Sequence, residues 1–356
     1  MGLTVGYFRF EPGINPYQNL FARALEQAGL TVDRIGPRKC FPIHFALSRA
    51  IDLLQIDWPD TLFVARNAPA TWVKRRMYYS GLRRLKDFPL VWTVHNLVGH
   101  DAVNADDHRR MTQLLIDRCR GIIVMSQAAQ KLLRESYRVA ERTKVAVIPH
   151  GHYIDAYPNV IARARARQAF SLKEGGRMVL FLGSLRPYKG VEELIDAFAV
   201  LARPDDLLVL AGPALDPAYR EQVKSLAASR SPAGAEIRVV PDVIPDDMLQ
   251  VYYNAADLVA LPFRNILNSG TALLAQSFAR CVVAPAIGSL PEALCGEGFF
   301  GYDPAKPSAL VDALRGALAR SDLLDRGLLA REYLRTRYDW GTIGGKVKEL
   351  YEQVVG

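Results

Sequence analysis

The sequence predicts an α/β protein made of two tandem Rossmann-like, doubly wound domains facing each other across a cleft. Three observations carry this. The chain has 356 residues, more than the roughly 100–200 of one ordinary domain. Its composition, 50% apolar and 23% charged, is that of a soluble globular protein with material for two cores. Short apolar runs alternate with amphipathic stretches along the whole chain, and this βαβα rhythm calls for a parallel sheet covered on both faces.

In the first half the runs place strands at Leu3–Phe8, Thr31–Ile35, Thr61–Val64, Leu90–Val94, Gly121–Met125 and Val145–Ile148. Helices are expected near Tyr17–Ala28, Phe45–Leu54, Ala70–Leu85, Asp107–Arg118 and Gln127–Ser136. In the second half strands fall at Arg177–Leu182, Leu207–Ala211, Glu236–Val240, Leu258–Ala260, Val282–Pro285 and Gly298–Tyr302. Helices intervene near Gly190–Ala202, Pro217–Ala228, Asp246–Ala255, Gly270–Ala279, Pro307–Arg320 and Leu323–Thr336. A polar, Arg/Ala-rich stretch around Tyr157–Leu172 marks the boundary, giving domains 1–160 and 161–337. The segment 338–356, led by Tyr338-Asp339-Trp340, is expected to return as a helix to the first domain.

Charge is unevenly spread. Residues 1–160 hold 22 Lys+Arg against 14 Asp+Glu, while 161–356 hold 23 of each, so the whole excess of +8 lies in the first half and suggests an anionic partner there. Cys40, Cys119, Cys281 and Cys295 show no CxxC or metal-ligand spacing and read as buried thiols in a reducing compartment. No metal site is expected. The opening MGLTVGYFRFEPG reads as a strand rather than a signal peptide, and no run approaches the ~18 apolar residues of a membrane span. The expected location is cytoplasmic, at most peripheral on the inner face of the membrane.

Open parallel sheets bind ligands beyond the carboxyl ends of their strands, so chemistry is sought where strands run into loops. In Phe181-Leu182-Gly183-Ser184-Leu185-Arg186-Pro187-Tyr188-Lys189-Gly190 a strand meets a glycine, then two cations three apart, then a helix. A diphosphate would find close backbone approach at Gly183, helix N-terminal amides and two positive charges; an exposed turn with two surface cations is the plain alternative. In Asn268-Ser269-Gly270-Thr271 a polar loop opens a helix, either to bind an anion or simply to cap the helix. Trp92-Thr93-Val94-His95-Asn96-Leu97-Val98-Gly99-His100-Asp101 gathers three titratable groups past a strand end, where acid–base residues are often carried. Pro149-His150-Gly151-His152 reads as a ligand turn or a connector. Arg9-Phe10-Glu11-Pro12-Gly13-Ile14-Asn15-Pro16-Tyr17 lacks the GxGxxG of dinucleotide binders and reads as an acceptor loop or plain loop. Trp72, Lys74, Arg75, Arg76, Tyr78, Tyr79, Arg83, Arg84 and Lys86 mix cations with aromatics on one predicted helix, suited to anionic lipid headgroups or to an ordinary solvated face. No nucleic-acid module is present.

Together these segments resemble GT-B glycosyltransferases close to the retaining glycosyltransferase family 4 and its relatives, over nearly the whole chain. Gly183-Ser184-Leu185-Arg186-Pro187-Tyr188-Lys189-Gly190 looks like the family's donor-diphosphate motif, Val243-Ile244-Pro245 like its base-contacting segment, and Gly288-Ser289-Leu290-Pro291-Glu292 like its G-x-x-P-E turn. The resemblance implies donor contacts from Gly183, Ser184, Arg186, Lys189, Ile244, Asn268, Ser269, Gly270, Thr271 and Glu292. It departs at the retaining carboxylate pair, where Ile266 and Leu274 stand. The Asn-Ser-Gly-Thr loop, with Trp92–Leu97 and Pro149–Tyr153, is more similar to bacterial exopolysaccharide transferases, including inverting β-mannosyltransferases that use GDP-mannose and a lipid-diphosphate acceptor. The implied activity is sugar transfer from a nucleotide donor to a saccharide or lipid-linked acceptor, without metal or cofactor, releasing GDP or UDP. Asp101, then His95, then Glu11 are the candidate bases; Asn15, Tyr17, His100 and His150 the candidate acceptor contacts; Trp72, Lys74, Arg75, Arg76, Arg83 and Arg84 the candidate membrane face. A retaining transferase and a non-catalytic membrane-surface scaffold are the rival readings.

Overall fold

Each half of the chain threads six strands into one all-parallel sheet. The structure, a computed structural model, describes residues 2–11, 15–65, 67–97 and 105–356. It divides into unit 1, Met1–Gly151 with Tyr338–Gly356, and unit 2, His152–Arg337. The first sheet runs β2-β1-β3-β4-β5-β6, from β1 (Thr4–Phe8), β2 (Thr31–Ile35), β3 (Leu53–Ile56), β4 (Leu90–Thr93), β5 (Gly121–Val124) and β6 (Lys144–Val147). Its helices are α1 (Tyr17–Gln27), α2 (Pro42–Leu47), α3 (Ala68–Arg84), α4 (Ala105–Ile116) and α5 (Gln127–Ser136). Unit 2 starts with α6 (Arg163–Ala169) and continues β7 (Met178–Leu182), α7 (Val191–Leu201), β8 (Leu207–Ala211), α8 (Pro217–Arg230), β9 (Glu236–Val240), α9 (Leu249–Ala255) and β10 (Leu258–Ala260). It ends α10 (Gly270–Ser277), β11 (Cys281–Pro285), α11 (Leu290–Ala293), β12 (Phe299–Tyr302), α12 (Ala309–Leu318) and α13 (Leu323–Arg337). Its sheet order is β12-β11-β10-β7-β8-β9. The last helix, α14 (Trp340–Val355), belongs to unit 1. Among the described residues no helix is long and apolar enough to cross a membrane.

Two expected elements of unit 1 are overturned. The stretch expected as a helix over Phe45–Leu54 breaks into the short α2 and the strand β3, and the run expected as a strand at Thr61–Val64 overlaps a 3₁₀ turn, Pro59–Leu62. The reason is burial. β3 pairs with β1 on one side and β4 on the other, and all four of its residues are buried. A short strand covered on both faces reads as an unbroken apolar run, which periodicity cannot tell from a buried helix.

One face of the first sheet is covered by α1 and α14. Phe21 and Leu25 of α1 and Ile343, Val347, Leu350, Tyr351 and Val354 of α14 pack over Val5, Tyr7, Leu53 and Val91 of the strands. Gly344 allows the helices to touch: a Cβ there would lie 2.3 Å from the Ala24 carbonyl oxygen. Asp339 starts α14 by accepting the Thr342 amide at 2.8 Å. In unit 2, residues 163–169 form a helix within the Arg/Ala-rich stretch. Its Arg163 and Arg167 reach Asp257 at 2.5 and 3.2 Å, and that carboxylate also accepts the Met178 amide. Cys119, Cys281 and Cys295 are buried, but Cys40 is exposed, against expectation, because it lies in the irregular segment before α2.

Candidate active site

In unit 2 the strand ends converge through glycine. Gly183 after β7 has φ +149° and Gly212 after β8 has φ +136°. A Cβ on Gly212 would lie 2.2 Å from the Gly183 carbonyl oxygen, so the two strand ends lie backbone against backbone. Beyond Gly183 a 3₁₀ turn, Pro187–Lys189, ends at Gly190 with φ +69°. A Cβ there would stand 2.0 Å from the Pro262 carbonyl, and the Arg264 amide donates to the Tyr188 carbonyl at 3.0 Å. The loops after β7 and β10 are thereby stitched together.

This packing sets the electrostatics. The Lys189 ammonium lies 4.4 Å over the Phe263 ring and 5.2 Å from the Tyr188 ring. Burial first, and then the nearby Arg186 guanidinium, push its pKa down to about 8. Among the described residues Lys189 makes no ion pair. Holding a desolvated ammonium beside a second cation is unfavourable in isolation and is relieved by a bound anion. Arg264, by contrast, is spent on structure, bridging Glu193 at 2.6 Å.

The first turn of α10 lies alongside. Ser269 caps it, accepting the Ala272 amide at 3.2 Å, so the capping role holds for this side chain. The amides of Gly270 and Thr271 precede any intrahelical partner, and the Thr271 hydroxyl lies 3.8 Å from where a Gly183 side chain would begin. Asn268 is held by the Ser289 hydroxyl at 2.8 Å. Ser184, Arg186 and Ile244 are half-buried, and Glu292 is exposed on α11. Ile266 and Leu274 are both buried.

In unit 1 the carboxyl edge carries a buried polar network. Side chains two apart along a strand share a face, which puts Gln55 with Asp57 on one side of the sheet. Register partners Tyr7 and Gln55 bring Tyr7 to the same side. Asp57, 2% exposed, accepts the Tyr7 hydroxyl on Oδ2 and the Gln55 amide on Oδ1 at 3.0 Å. Gln55 also donates to Thr93 Oγ1 at 2.7 Å and accepts the Tyr351 hydroxyl from α14 at 2.9 Å. Burial and the Asp57 carboxylate hold the Tyr7 and Tyr351 hydroxyls well above the ordinary phenol range, so both stay protonated donors. His95 Nε2 stands 3.9 Å from Asp57 Oδ1. Its ring stacks on Trp58 at 4.2 Å and meets the edge of Tyr17 at 4.8 Å.

Tyr17 also packs on His150 and Trp340. His150 Nδ1 lies 2.6 Å from the Gly151 carbonyl; a carbonyl only accepts, so the neutral ring carries its proton there. Burial pushes its pKa down to about 4. Beside this cluster Arg9, Glu11, Asn15, Gln18, Trp58 and Thr61 line a pocket of about 260 Å³. Glu11 is paired with Arg9 at 2.6 Å, and Arg9 holds φ +59°, a strained conformation for a long side chain. Asn15 Oδ1 accepts the Tyr17 amide at 2.9 Å just ahead of α1. His100 and Asp101 lie outside the described residues.

On α3, Trp72 is 61% exposed with Arg76 5.0 Å over its ring, and Arg83 and Arg84 are exposed. Lys74 departs from this array: its ammonium turns back onto the Thr61 and Val64 carbonyls at 2.9 and 2.7 Å. Arg75 pairs with Asp107 at 3.1 Å, and Tyr78 is buried.

Sequence reasoning missed Asp57, Trp58, Tyr7, Gln55 and Tyr351. The available signal was a glutamine and an aspartate two apart in the apolar run Leu53-Leu54-Gln55-Ile56-Asp57; the expected helix took in Leu53 and Leu54 and left Gln55 and Asp57 unassigned.

Residues 13–155 match the family described as "Glycosyltransferase Family 4" and residues 176–320 that described as "Glycosyl transferases group 1". A GDP-mannose:glycolipid 4-beta-D-mannosyltransferase of Xanthomonas campestris pv. campestris is 31% identical over 278 residues, covering 76% of this chain and 70% of that protein. A D-inositol 3-phosphate glycosyltransferase of Corynebacterium glutamicum is 28% identical over 295 residues, covering 77% and 69%. Among solved structures, sucrose-phosphate synthase of Thermosynechococcus elongatus superposes with TM-score 0.76 at 20% identity over 99% of this chain and 98% of that one. HepE of Anabaena, in complex with UDP and glucose, does so with TM-score 0.73 at 18% identity over 98% of each.

Proposed function

We infer that this chain, which belongs to the GT-B glycosyltransferases, transfers mannose from GDP-mannose, with inversion, to a saccharide carried on a lipid diphosphate. The observation that carries the donor half is the desolvated Lys189 crowded by Arg186 next to Gly183 and the α10 amides. Two linked phosphates supply the negative charge this arrangement lacks. Arg186, Lys189, Gly270 and Thr271 take up the charge on the departing nucleoside diphosphate, and Ser184, Asn268, Ser269, Ile244 and Glu292 complete the donor contacts. The mannosyltransferase relative supports GDP-mannose. Buried Ile266 and Leu274, where the retaining pattern has carboxylates, support inversion.

In an inverting step a base takes the acceptor hydroxyl proton, the oxygen bonds to the anomeric carbon from the side opposite the diphosphate, and the bond to the diphosphate breaks with its electron pair leaving on phosphate. Of the three candidate bases we assign the role to His95: Asp101 lies outside the described residues and Glu11 is held by Arg9. The acceptor sugar is assigned to the pocket at Trp58, with Asn15, Gln18 and Glu11 for its hydroxyls and Tyr17 and His150 at its rim. We assign no metal and no cofactor beyond the donor. The inositol-phosphate glycosyltransferase relative favours a second reading, a retaining transferase.

The exposed Trp72–Arg76 pair with Arg83 and Arg84 supports peripheral attachment at an anionic membrane. W72A with R76A should cut sedimentation with phosphatidylglycerol vesicles several-fold and leave GDP binding intact. Thermal-shift titration ranks GDP against UDP, and proton NMR of the product's anomeric centre reads β for inversion of the α-linked donor. A product of α configuration would establish the retaining reading instead.

A further inference from the structure

We propose that Arg264 is a positioning residue for the donor phosphates: it grips the chain on both sides of Lys189 and so seats that ammonium on Phe263. This rests on Lys189 taking the diphosphate, as read above. The support is geometric. Three consecutive residues after β10 meet the turn after β7 in reverse order. The Pro262 carbonyl fills the space a Gly190 side chain would need, 2.0 Å from its Cβ position. The Phe263 ring lies 4.4 Å from the Lys189 ammonium. The Arg264 amide donates to the Tyr188 carbonyl at 3.0 Å. The Arg264 guanidinium then reaches α7, where Nε and Nη2 donate to the two Glu193 oxygens at 2.6 and 2.9 Å. One residue thus holds the chain at Tyr188 and at Glu193, and Lys189 lies between the two holds.

The residue type fits the task. A planar guanidinium meets a carboxylate through two parallel hydrogen bonds, which fix direction as well as distance. Glu192 adds a second acid, its Oε2 3.5 Å from Arg264 Nη2. Both acids stand in the first turn of α7, where the helix dipole favours their charge. The side chains of Arg264 and Glu193 are each 46% exposed, and an ion pair so open to water contributes little to overall stability. Its effect falls on local geometry instead. Releasing the pair lets Phe263 part from Lys189 and readmits water to the ammonium. A charge placed in advance binds more tightly than one that must be ordered on binding. Charge alone would make Arg264 and Glu193 act on an anion in opposite senses; a shared grip makes them act in the same sense.

The test uses the full chain and two readouts: side-chain nitrogen-15 NMR of Lys189, assigned by its loss in K189M, and GDP titrations from pH 7 to pH 9. In the free wild type the Lys189 ammonium should titrate at about 8. In R264A the midpoint should move up toward the ordinary lysine value of roughly 10.4, and E193A should move it the same way. R264K, which keeps the charge without the fork, should follow R264A. GDP affinity in R264A should be about tenfold weaker than wild type at pH 7 and within about twofold of it at pH 9, where the wild-type ammonium has lost its proton. R264A with E193A should bind no more weakly than R264A alone, because the two residues act as one unit. Midpoints that move in opposite directions in R264A and E193A mean charge alone and overturn the proposal. A midpoint that neither variant changes, or a wild-type midpoint already at roughly 10.4, overturns it as well. Wild-type GDP affinity in K189M refutes the phosphate reading, while the NMR still decides whether Arg264 seats Lys189.

Discussion

At the carboxyl edge of unit 2 the groups we assign to a ligand are backbone amides beside positive-φ glycines and two cations from one short stretch of chain. At the edge of unit 1 they are side chains from five separated segments: Tyr7 on β1, Gln55 and Asp57 at β3, Thr93 and His95 at β4, His150 after β6 and Tyr351 on α14. The first edge is basic and locally encoded. The second is built around one buried carboxylate and long-range hydrogen bonds. The contrast follows the chemistry assigned to each. A polyphosphate is recognised by charge and amides that a turn can present, whereas moving a proton needs a base whose orientation is fixed by distant packing.

Breaking the cationic edge should have the largest effect. R186A with K189A should weaken GDP binding by about 100-fold or more, since hydrogen bonds to charged groups contribute ~1.5–3 kcal/mol each, while circular dichroism and the His95 ring signals stay native. Donor affinity surviving this double change would remove unit 2's claim to the phosphates.

The backbone part is probed at Gly212, where both φ and the close approach to Gly183 exclude a side chain. G212A should destabilise the protein by about 2–3 kcal/mol, the scale of an overpacked site, seen as a lower Tm, and weaken GDP binding with it. An unchanged Tm would mean that the strand ends are not so closely apposed.

The pH dependence sharpens the comparison. Because Lys189 titrates at about 8 when free and a diphosphate favours its charged form, GDP affinity should be level below pH 8. Above it, affinity should fall by at most about tenfold per pH unit, one proton being linked. K189M should abolish that slope. The same lowered value means folding carries a penalty while the ammonium is protonated, relieved as pH rises through about 8 toward the unfolded value.

At unit 1 the smallest effect is expected, on acid stability. With its folded pKa near 4, below the unfolded value of roughly 6.5, His150 contributes stability that is present at neutral pH and lost as pH falls from 6.5 toward 4. Urea titrations should show about 1–2 kcal/mol of this loss, allowing for solvent screening of a half-buried ring, and H150Q should flatten it.

How far each edge was legible follows from how it is encoded. The Gly183–Gly190 stretch is contiguous, so residue order alone displays a strand end, a glycine and two spaced cations. Its stitching to Pro262 and Arg264 was not visible, and that packing is what desolvates Lys189. In unit 1 His95 stood out as a titratable group past a strand. Asp57 did not, because β3 is buried on both faces and carries no alternation to mark it as a strand. Tyr351 gave no sign at all, since its role depends on α14 returning across nearly the whole chain.

Residue order by itself determined the succession of strands and helices in most of the chain, the parallel sheets that such alternation imposes, and the phosphate-suited turn, because each depends on neighbours a few positions apart. Tertiary structure alone decided which carboxylate faces His95 and which cations, like Lys74 and Arg264, are committed to carbonyls or acids. Those outcomes depend on burial and on contacts between segments far apart in sequence, where the energy of a charge is set by what surrounds it.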